Sequence, residues 1–202
     1  MKVFLVGATG RTGKWLLKAA LARRHEVTAL VRKPADRIAL TDSRLRIVEG
    51  DLTAITKFAD LLHGHDAIVS SLSSQAVDIG TKILIDGAQA AAVARFIGIA
   101  GGGVLQMDEQ HLRRDRVGYP EKFRQSSALH LEAWKALEAS LLQWTLFCTP
   151  DLIDSAATGQ VKLRADYMPE GGNRVACGDV AESIIDELEA PKFINRRVGC
   201  TM

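Results

Sequence analysis

Cysteine is scarce in this 202-residue chain, and the three present, Cys148, Cys177 and Cys200, are odd in number, far apart and without C-x-x-C spacing. That pattern supports neither a disulfide framework nor a zinc site, and reduced thiols in a cytoplasmic setting are the simplest reading. Charge of one sign is also lacking: 26 Lys and Arg face 24 Asp and Glu, for a net charge of +2. The basic residues are scattered, so the clustered stripe that nucleic acid requires is missing. Nowhere do ~18 apolar residues run together, and the chain starts directly on a strand and turn, without a charged, then apolar, leader. The expectation is a protein that neither spans a membrane nor carries a visible export signal. No G-x-S-x-G supports a serine hydrolase, and His63 and His65 bracket a glycine without a partner cluster for metal.

What is there begins at once. Met1 to Val6 is a β-type apolar run that breaks into three glycines spaced three apart, Gly7, Gly10 and Gly13, and then enters the helix-forming stretch Trp15–Arg23. Strand, tight turn and helix in that order place backbone N–H groups and the positive end of a helix where phosphates can approach. A dinucleotide's pyrophosphate suits that turn. The G-x-x-G-x-x-G spacing differs from G-x-G-x-x-G, and the flanking strand and helix give the motif its weight.

Strands and helices then alternate. Glu26–Val31 predicts a second strand, ending at Arg32, Lys33 and Pro34. An NAD enzyme usually places an acidic residue there for the ribose 2′-OH; two cations instead suit a 2′-phosphate and argue for NADP, the other reading being solvated loop charges. Leu45–Glu49 is a third strand, leaving through Gly50, Asp51 and Leu52 before a helix over Ile55–Leu62. Asp51 suits the adenine edge or caps that helix. Asp66–Ser70 is a fourth strand, and Ser70, Ser71, Leu72, Ser73 and Ser74 follow it where the middle of the dinucleotide would pass. These serines contact the ligand through their backbone or serve as N-caps. A helix over Gly80–Ala94 and a fifth strand over Arg95–Ala100 lead into Gly101, Gly102 and Gly103, either a second close approach of backbone to nicotinamide or substrate, or a loose loop. The pattern implies an α/β fold: a Rossmann-type, doubly wound parallel sheet with helices on both faces and a crevice at the strands' carboxyl ends. We expect one domain over residues 1–202.

Beyond Gln106 the regularity lapses until Phe123, with a charge run at 111–116 and a turn at Gly118–Pro120. This stretch reads as a lid beside the crevice or as solvated surface. Ala128–Ser140 predicts a helix whose Leu129, Ala133, Leu137 and Leu141 form a core stripe, with His130 and Trp134 one position round, facing inward or toward the crevice. Gln143–Cys148 is a sixth strand, and the segment from Thr149 to Met168 leaves it on the crevice side. Asp179 reads as the N-cap of a last helix ending near Leu188, and Arg196–Thr201 as a final strand.

The residues Val6–Gly13, Gly50–Leu52, Gly101–Leu105, Trp144–Thr145 with Thr149–Pro150, and Gly178–Ala181 together resemble the atypical short-chain dehydrogenase/reductases with NmrA-like domains, nearest the NAD(P)H–flavin reductase and biliverdin reductase B-like group. The resemblance spans essentially the whole chain. It implies a bound NAD(P) over Gly7, Thr9, Gly10, Arg11 and Thr12, an adenosine phosphate near Arg32, and Asp51 and Leu52 beside adenine. With these we place Ser70, Ser71, Leu72, Ala100 and Gly101 along the nucleotide. The superfamily includes reductases, isomerases and regulators that bind the nucleotide without turning it over.

Carbonyl reduction in this superfamily uses Tyr-x-x-x-Lys, because a carbonyl oxygen needs a proton as hydride arrives. Neither tyrosine fits: Tyr119 has Lys122 three residues on and Phe123 four on, and Tyr167 has Gly171. Pro120 leaves a Tyr119–Lys122 pair only a helix start on which to form. Flavin-like or quinone-like rings can take hydride with a proton from water, and suit such a site. The expectation is an NAD(P)H-dependent reductase of a conjugated small-molecule acceptor, with NADP as cofactor, NAD as the alternative and flavin as a candidate substrate. The competing expectation is a non-catalytic NAD(P)-binding redox sensor. No catalytic residue is assigned, and a monomer or weak homodimer is expected.

Overall fold

A computed structural model describes residues 1–32, 38, 40–55 and 57–202. The elements run in the order β1 (Lys2–Val6), α1 (Gly13–Ala22), β2 (Glu26–Val31), β3 (Leu45–Glu49), α2 (Phe58–Leu62), β4 (Ala67–Ser70), α3 (Val77–Ala90) and β5 (Arg95–Gly101). They continue with α4 (Arg124–Glu138), β6 (Gln143–Thr149), β7 (Asp151–Ile153), β8 (Lys162–Ala165), β9 (Arg174–Ala176), α5 (Cys177–Glu189) and β10 (Arg196–Thr201). The main sheet has eight strands in the order β3-β2-β1-β4-β5-β6-β10-β8. Its neighbours are parallel except β8, which runs antiparallel to β10 at the edge. A separate parallel pair joins β7 to β9.

Two-residue periodicity explains how one sheet holds two cores. Along β1, Val3 and Leu5 bury into the layer formed with Leu16, Leu17 and Ala20 of α1 and Val180, Ile184 and Leu188 of α5. Phe4 and Val6 point the other way, among Phe58 and Leu62 of α2, Leu84 and Ala88 of α3 and Leu137 of α4. A strand buried on both faces has no polar alternation, which is why β1 reads as an uninterrupted apolar run. Each fully buried Leu or Phe contributes about 1.5–3 kcal/mol.

The order reverses at β1, with β2 and β3 on one side and β4, β5 and β6 on the other, so the carboxyl ends of β1 and β4 diverge and open a crevice. The opposite edge is closed by a buried ion pair. Arg95, at the start of β5, donates to Glu187 Oε1 at 2.8 Å and to Thr145 Oγ1 at 2.9 Å, while Glu187 also accepts from the backbone N–H groups of Lys192 and Phe193. With its lone pairs occupied, Glu187 locks α5 to β5 and β6; losing one partner would strand the other charge.

Several expectations need correction. The helix expected over 55–62 begins at Phe58, that over 80–94 runs from Val77 to Ala90, and that over 128–140 from Arg124 to Glu138. Of the expected stripe, Ala133 and Leu137 are core and Leu129 is half-buried, whereas Leu141 lies beyond α4 and is 87% exposed. Ser127 and His130 join Ala133 and Leu137 on the buried face of α4. Asp179 is not an N-cap: α5 starts two residues earlier, and the buried Asp179 carboxylate accepts from the Thr158 N–H and hydroxyl and the Gly159 N–H, clamping a distant loop onto the helix. The serines after β4 cap nothing either, since α3 begins after Ala76 without a side-chain cap. Three short strands, β7, β8 and β9, are not legible in the sequence: β7 and β9 have three residues each, too few for a periodicity, and β8 is polar and largely exposed.

Candidate functional site: a cleft at the divergence of β1 and β4

The three opening glycines do different work. Gly7 has φ 79°, and a Cβ there would stand 2.2 Å from the Ser71 carbonyl oxygen; one on Gly13 would stand 1.9 Å from the Gly7 carbonyl. Those two let the turn lie on the exit of β4 and let α1 lie on the turn. A Cβ on Gly10 would meet the Gly7 carbonyl at 3.1 Å, and Gly10 lines the cleft itself. The first turn of α1 has no side-chain cap, since the Thr12 hydroxyl turns to Cys177 Sγ at 3.5 Å. The Lys14 and Trp15 N–H groups donate to the Gly10 and Thr12 carbonyls, so the turn's N–H groups over 11–13, at the helix's positive end beside a glycine without a side chain, are where phosphate oxygens would fit.

The cleft beyond that turn has a volume of about 930 Å³. Its floor is Ser71 to Ser74 after β4 and Ile99 to Gly103 at the end of β5, and its far wall is Arg113, Arg116, Tyr119, Phe123, Ser127 and His130. Thr149 to Leu152, Met168 and Asn173 complete it. Asp154 binds Lys14 Nζ at 2.6 Å and Trp15 Nε1 at 2.9 Å, and Arg11 donates to the Leu152 carbonyl at 3.3 Å, so the β7 segment is tied to the start of α1. The glycines after β5 are not a loose loop: 102–104 form a 3-10 turn, and a Cβ on Gly103 would lie 2.5 Å from both Ser127 Oγ and Tyr119 Oη.

His130 is the titratable group deepest in the far wall. Its Nε2 lies 3.1 Å from Ser74 Oγ, and burial pushes its pKa from 6.5 down to about 4. At neutral pH it is an uncharged imidazole, able to hold Ser74 but poor at giving up a proton. Trp134 turns away from the cleft toward the second core, with the Arg197 guanidinium 3.8 Å over its ring. Lys122 Nζ lies 4.8 Å from the Phe123 ring centroid, and among the described residues no hydrogen bond joins it to Tyr119. The thiols are out of reach: all three cysteines are buried, burial pushes Cys148 up to about 12 and raises Cys200 as well. Such groups are inert rather than nucleophilic.

Of the residues expected along a nucleotide, Gly10, Arg11, Thr12, Ser71, Leu72, Ala100 and Gly101 come together on this cleft. Gly7 lies beneath it as packing, Thr9 is exposed beside it, and Ser70 is buried in β4. Arg32 and Asp51 are exposed at the carboxyl ends of β2 and β3, outside the main cleft. The Asp51 carboxylate accepts from the Thr53 N–H and hydroxyl, which hold it below the usual carboxylate range with a smaller contribution from the Arg32 charge. Asp51 therefore closes a local turn and caps no helix. Leu52 packs against the second core beside Gly80. Lys33 lies outside the described residues. Sequence reading took Arg113 and Arg116 only as part of a charge run; their spacing of three, one repeat of a 3-10 turn, was the available signal.

A strand-turn-helix cradle at the reversal point of a doubly wound sheet, extended by a cleft of this size, defines a nucleotide-binding Rossmann domain. The chain belongs to the NAD(P)H-binding family, which it matches over residues 7–191. It is 29% identical to the uncharacterized protein YwnB of Bacillus subtilis, over 98% of this chain and 96% of that protein. It is 28% identical to the B. subtilis protein named as an uncharacterized sugar epimerase, YhfK, over 100% of this chain and 94% of that one. Among solved structures, a Streptococcus pneumoniae protein named as a candidate NADH-flavin reductase superposes with a TM-score of 0.84 at 26% identity, covering 100% of this chain and 99% of the other. Among the described residues no helix is long and apolar enough to cross a membrane, and no group of three His, Cys, Asp or Glu could hold a metal.

Proposed function

We propose that the protein is an NADPH-dependent reductase of a flavin-like or quinone-like acceptor. The nicotinamide supplies hydride when bound. The residues of this chain that would hold the cofactor are the Gly10–Thr12 turn with the Gly13 N–H at the diphosphate, the backbone of Ser71 and Leu72 at its middle, and Ala100 and Gly101 beyond. Arg32, exposed at the end of β2, would take the 2′-phosphate that distinguishes NADPH.

The observation that carries the choice of acceptor is the lack of a competent proton donor in the far wall. His130 is held neutral, with a pKa of about 4, and among the described residues no lysine ammonium is hydrogen-bonded to Tyr119; the charge that acts on Tyr119 is the Arg113 guanidinium, which stays protonated. Carbonyl reduction would want such an acid, whereas a conjugated ring accepts hydride and takes its proton from water. The protein's part is to bind both rings face to face and keep competing reactions out. Similarity to the S. pneumoniae protein supports the same reading.

The test is NADPH oxidation, followed by absorbance, with riboflavin, FMN, a naphthoquinone and an aliphatic ketone as acceptors. Turnover near ~1 s⁻¹ with a ring acceptor and none with the ketone is the expected result. Tight NADPH binding without turnover on any acceptor would instead make the protein a nucleotide sensor.

A further inference from the structure

The far wall carries charge that nucleotide binding does not use. Arg113 and Arg116 both line the cleft, on opposite sides of Arg114 and Asp115 in a 3-10 turn spanning Arg113–Asp115. Arg116 is the extended residue just past the turn, and its charge acts on Arg113 across the cleft wall that both residues line. The turn is anchored: the Arg113 N–H donates to the Leu105 carbonyl at 2.8 Å and Arg114 Nη1 to the Ser127 carbonyl at 2.8 Å. Arg114 also approaches Asp115, whereas among the described residues neither Arg113 nor Arg116 has a carboxylate within ion-pair distance. The pair is electrostatically uncomfortable: burial and then the Arg116 charge hold Arg113 below the ordinary arginine value.

Three further observations concern what could relieve it. The acidic residue on the cleft is Asp151, an exposed residue on β7, the strand tied to the glycine turn through Leu152 and Arg11. Ser127, only 4% exposed and on the cleft wall, has an Oγ without a hydrogen-bond partner among the described residues. Tyr119 and Phe123 line the same wall. Two unpaired cations, an unsatisfied buried hydroxyl and aromatic rings make a site for a flat ring with an oxyanion attached.

Resting on the reductase reading above, we infer that the acceptor carries a phosphate or carboxylate arm held by Arg113 and Arg116. The cleft thus has two positive poles, one for the cofactor's diphosphate and one that selects the acceptor.

Matched pairs with and without the oxyanion test this: FMN against riboflavin for phosphate, and a carboxyl-bearing naphthoquinone against its parent for carboxylate. Binding to the NADP⁺-loaded protein is read by fluorescence titration, and turnover in parallel. At least one charged member should bind about tenfold or more tightly than its neutral partner, since each charge-assisted contact is worth a factor of that order. The preference should fall toward one in Arg113→Gln/Arg116→Gln, and partly in Arg116→Gln alone, an exposed position where folding is not at stake. A selective binder that is not reduced would sink the reductase reading but leave this inference standing. Equal binding within both pairs, no binding by any of them, or a preference that survives the double variant would overturn it.

Discussion

The two walls of the cleft offer a ligand different physics. The wall built from β1, α1, β4 and β5 offers mainly backbone: a glycine turn at φ 79°, an uncapped helix end and strand exits too close together for side chains. The wall built from residues 106–138 offers side chains, namely two arginines, a neutral histidine, an orphan serine and aromatic rings, carried by short 3-10 turns, the loop between them and the first half of α4. Backbone recognition depends on local conformation and tolerates little change. Side-chain recognition depends on which residues a turn presents, and can be retuned without refolding the scaffold.

The sharpest break of that contrast is at the glycines. Gly13→Ala should destabilise the protein by about 3 kcal/mol or more in urea unfolding, because the Gly7 carbonyl 1.9 Å away cannot move aside cheaply. Gly10→Val should leave the far-UV circular dichroism intact yet weaken nucleotide binding by about a hundredfold or more, by filling the space meant for phosphate. Nucleotide binding retained in Gly10→Val would reduce the motif to a turn.

Next comes the far wall's histidine. Folding lowers its pKa from 6.5 to about 4, so between those values the unfolded chain takes a proton that the folded protein refuses. This contribution is therefore fully present above about pH 6.5 and lost as pH falls toward 4, a change on the order of 3 kcal/mol. His130→Gln should flatten the stability profile over that window; His25 and His65, also lowered by burial, keep part of the slope. An unaltered slope would mean His130 is accessible to protons in the folded state.

A smaller effect is expected at the adenosine end. NADPH should bind about tenfold more tightly than NADH, and Arg32→Asp should reverse the preference. Equal affinities in both proteins would remove the argument for a 2′-phosphate contact. The smallest effects belong to catalysis by the far wall: Tyr119→Phe, Lys122→Met and His130→Ala should each cost less than about tenfold in kcat with a flavin or quinone, since loss of a true general acid costs roughly 10²–10⁴-fold. A hundredfold loss in one of them, with disappearance of a limb of the pH–rate profile, would identify a proton donor and return carbonyl compounds to consideration.

Local pattern alone determined the doubly wound frame. Apolar strand runs, three glycines at the first turn and alternating helices are short-range signals, and seven of the eight strands of the main sheet run parallel, most of them joined through helices. Local signals also located the cradle at Gly10–Thr12. They could not reveal β8, whose exposed Lys162–Ala165 run becomes a strand only by pairing with β10, some thirty residues later. Nor could they show that Asp179 serves Thr158 rather than its own helix, or that His130 meets Ser74 across 56 residues. The pairing of the Arg113–Arg116 turn with the Ser127 end of α4 belongs to the same class. Hydrogen bonds and charges between distant segments leave no periodicity in the chain, so only the assembled tertiary structure decided what the far wall presents.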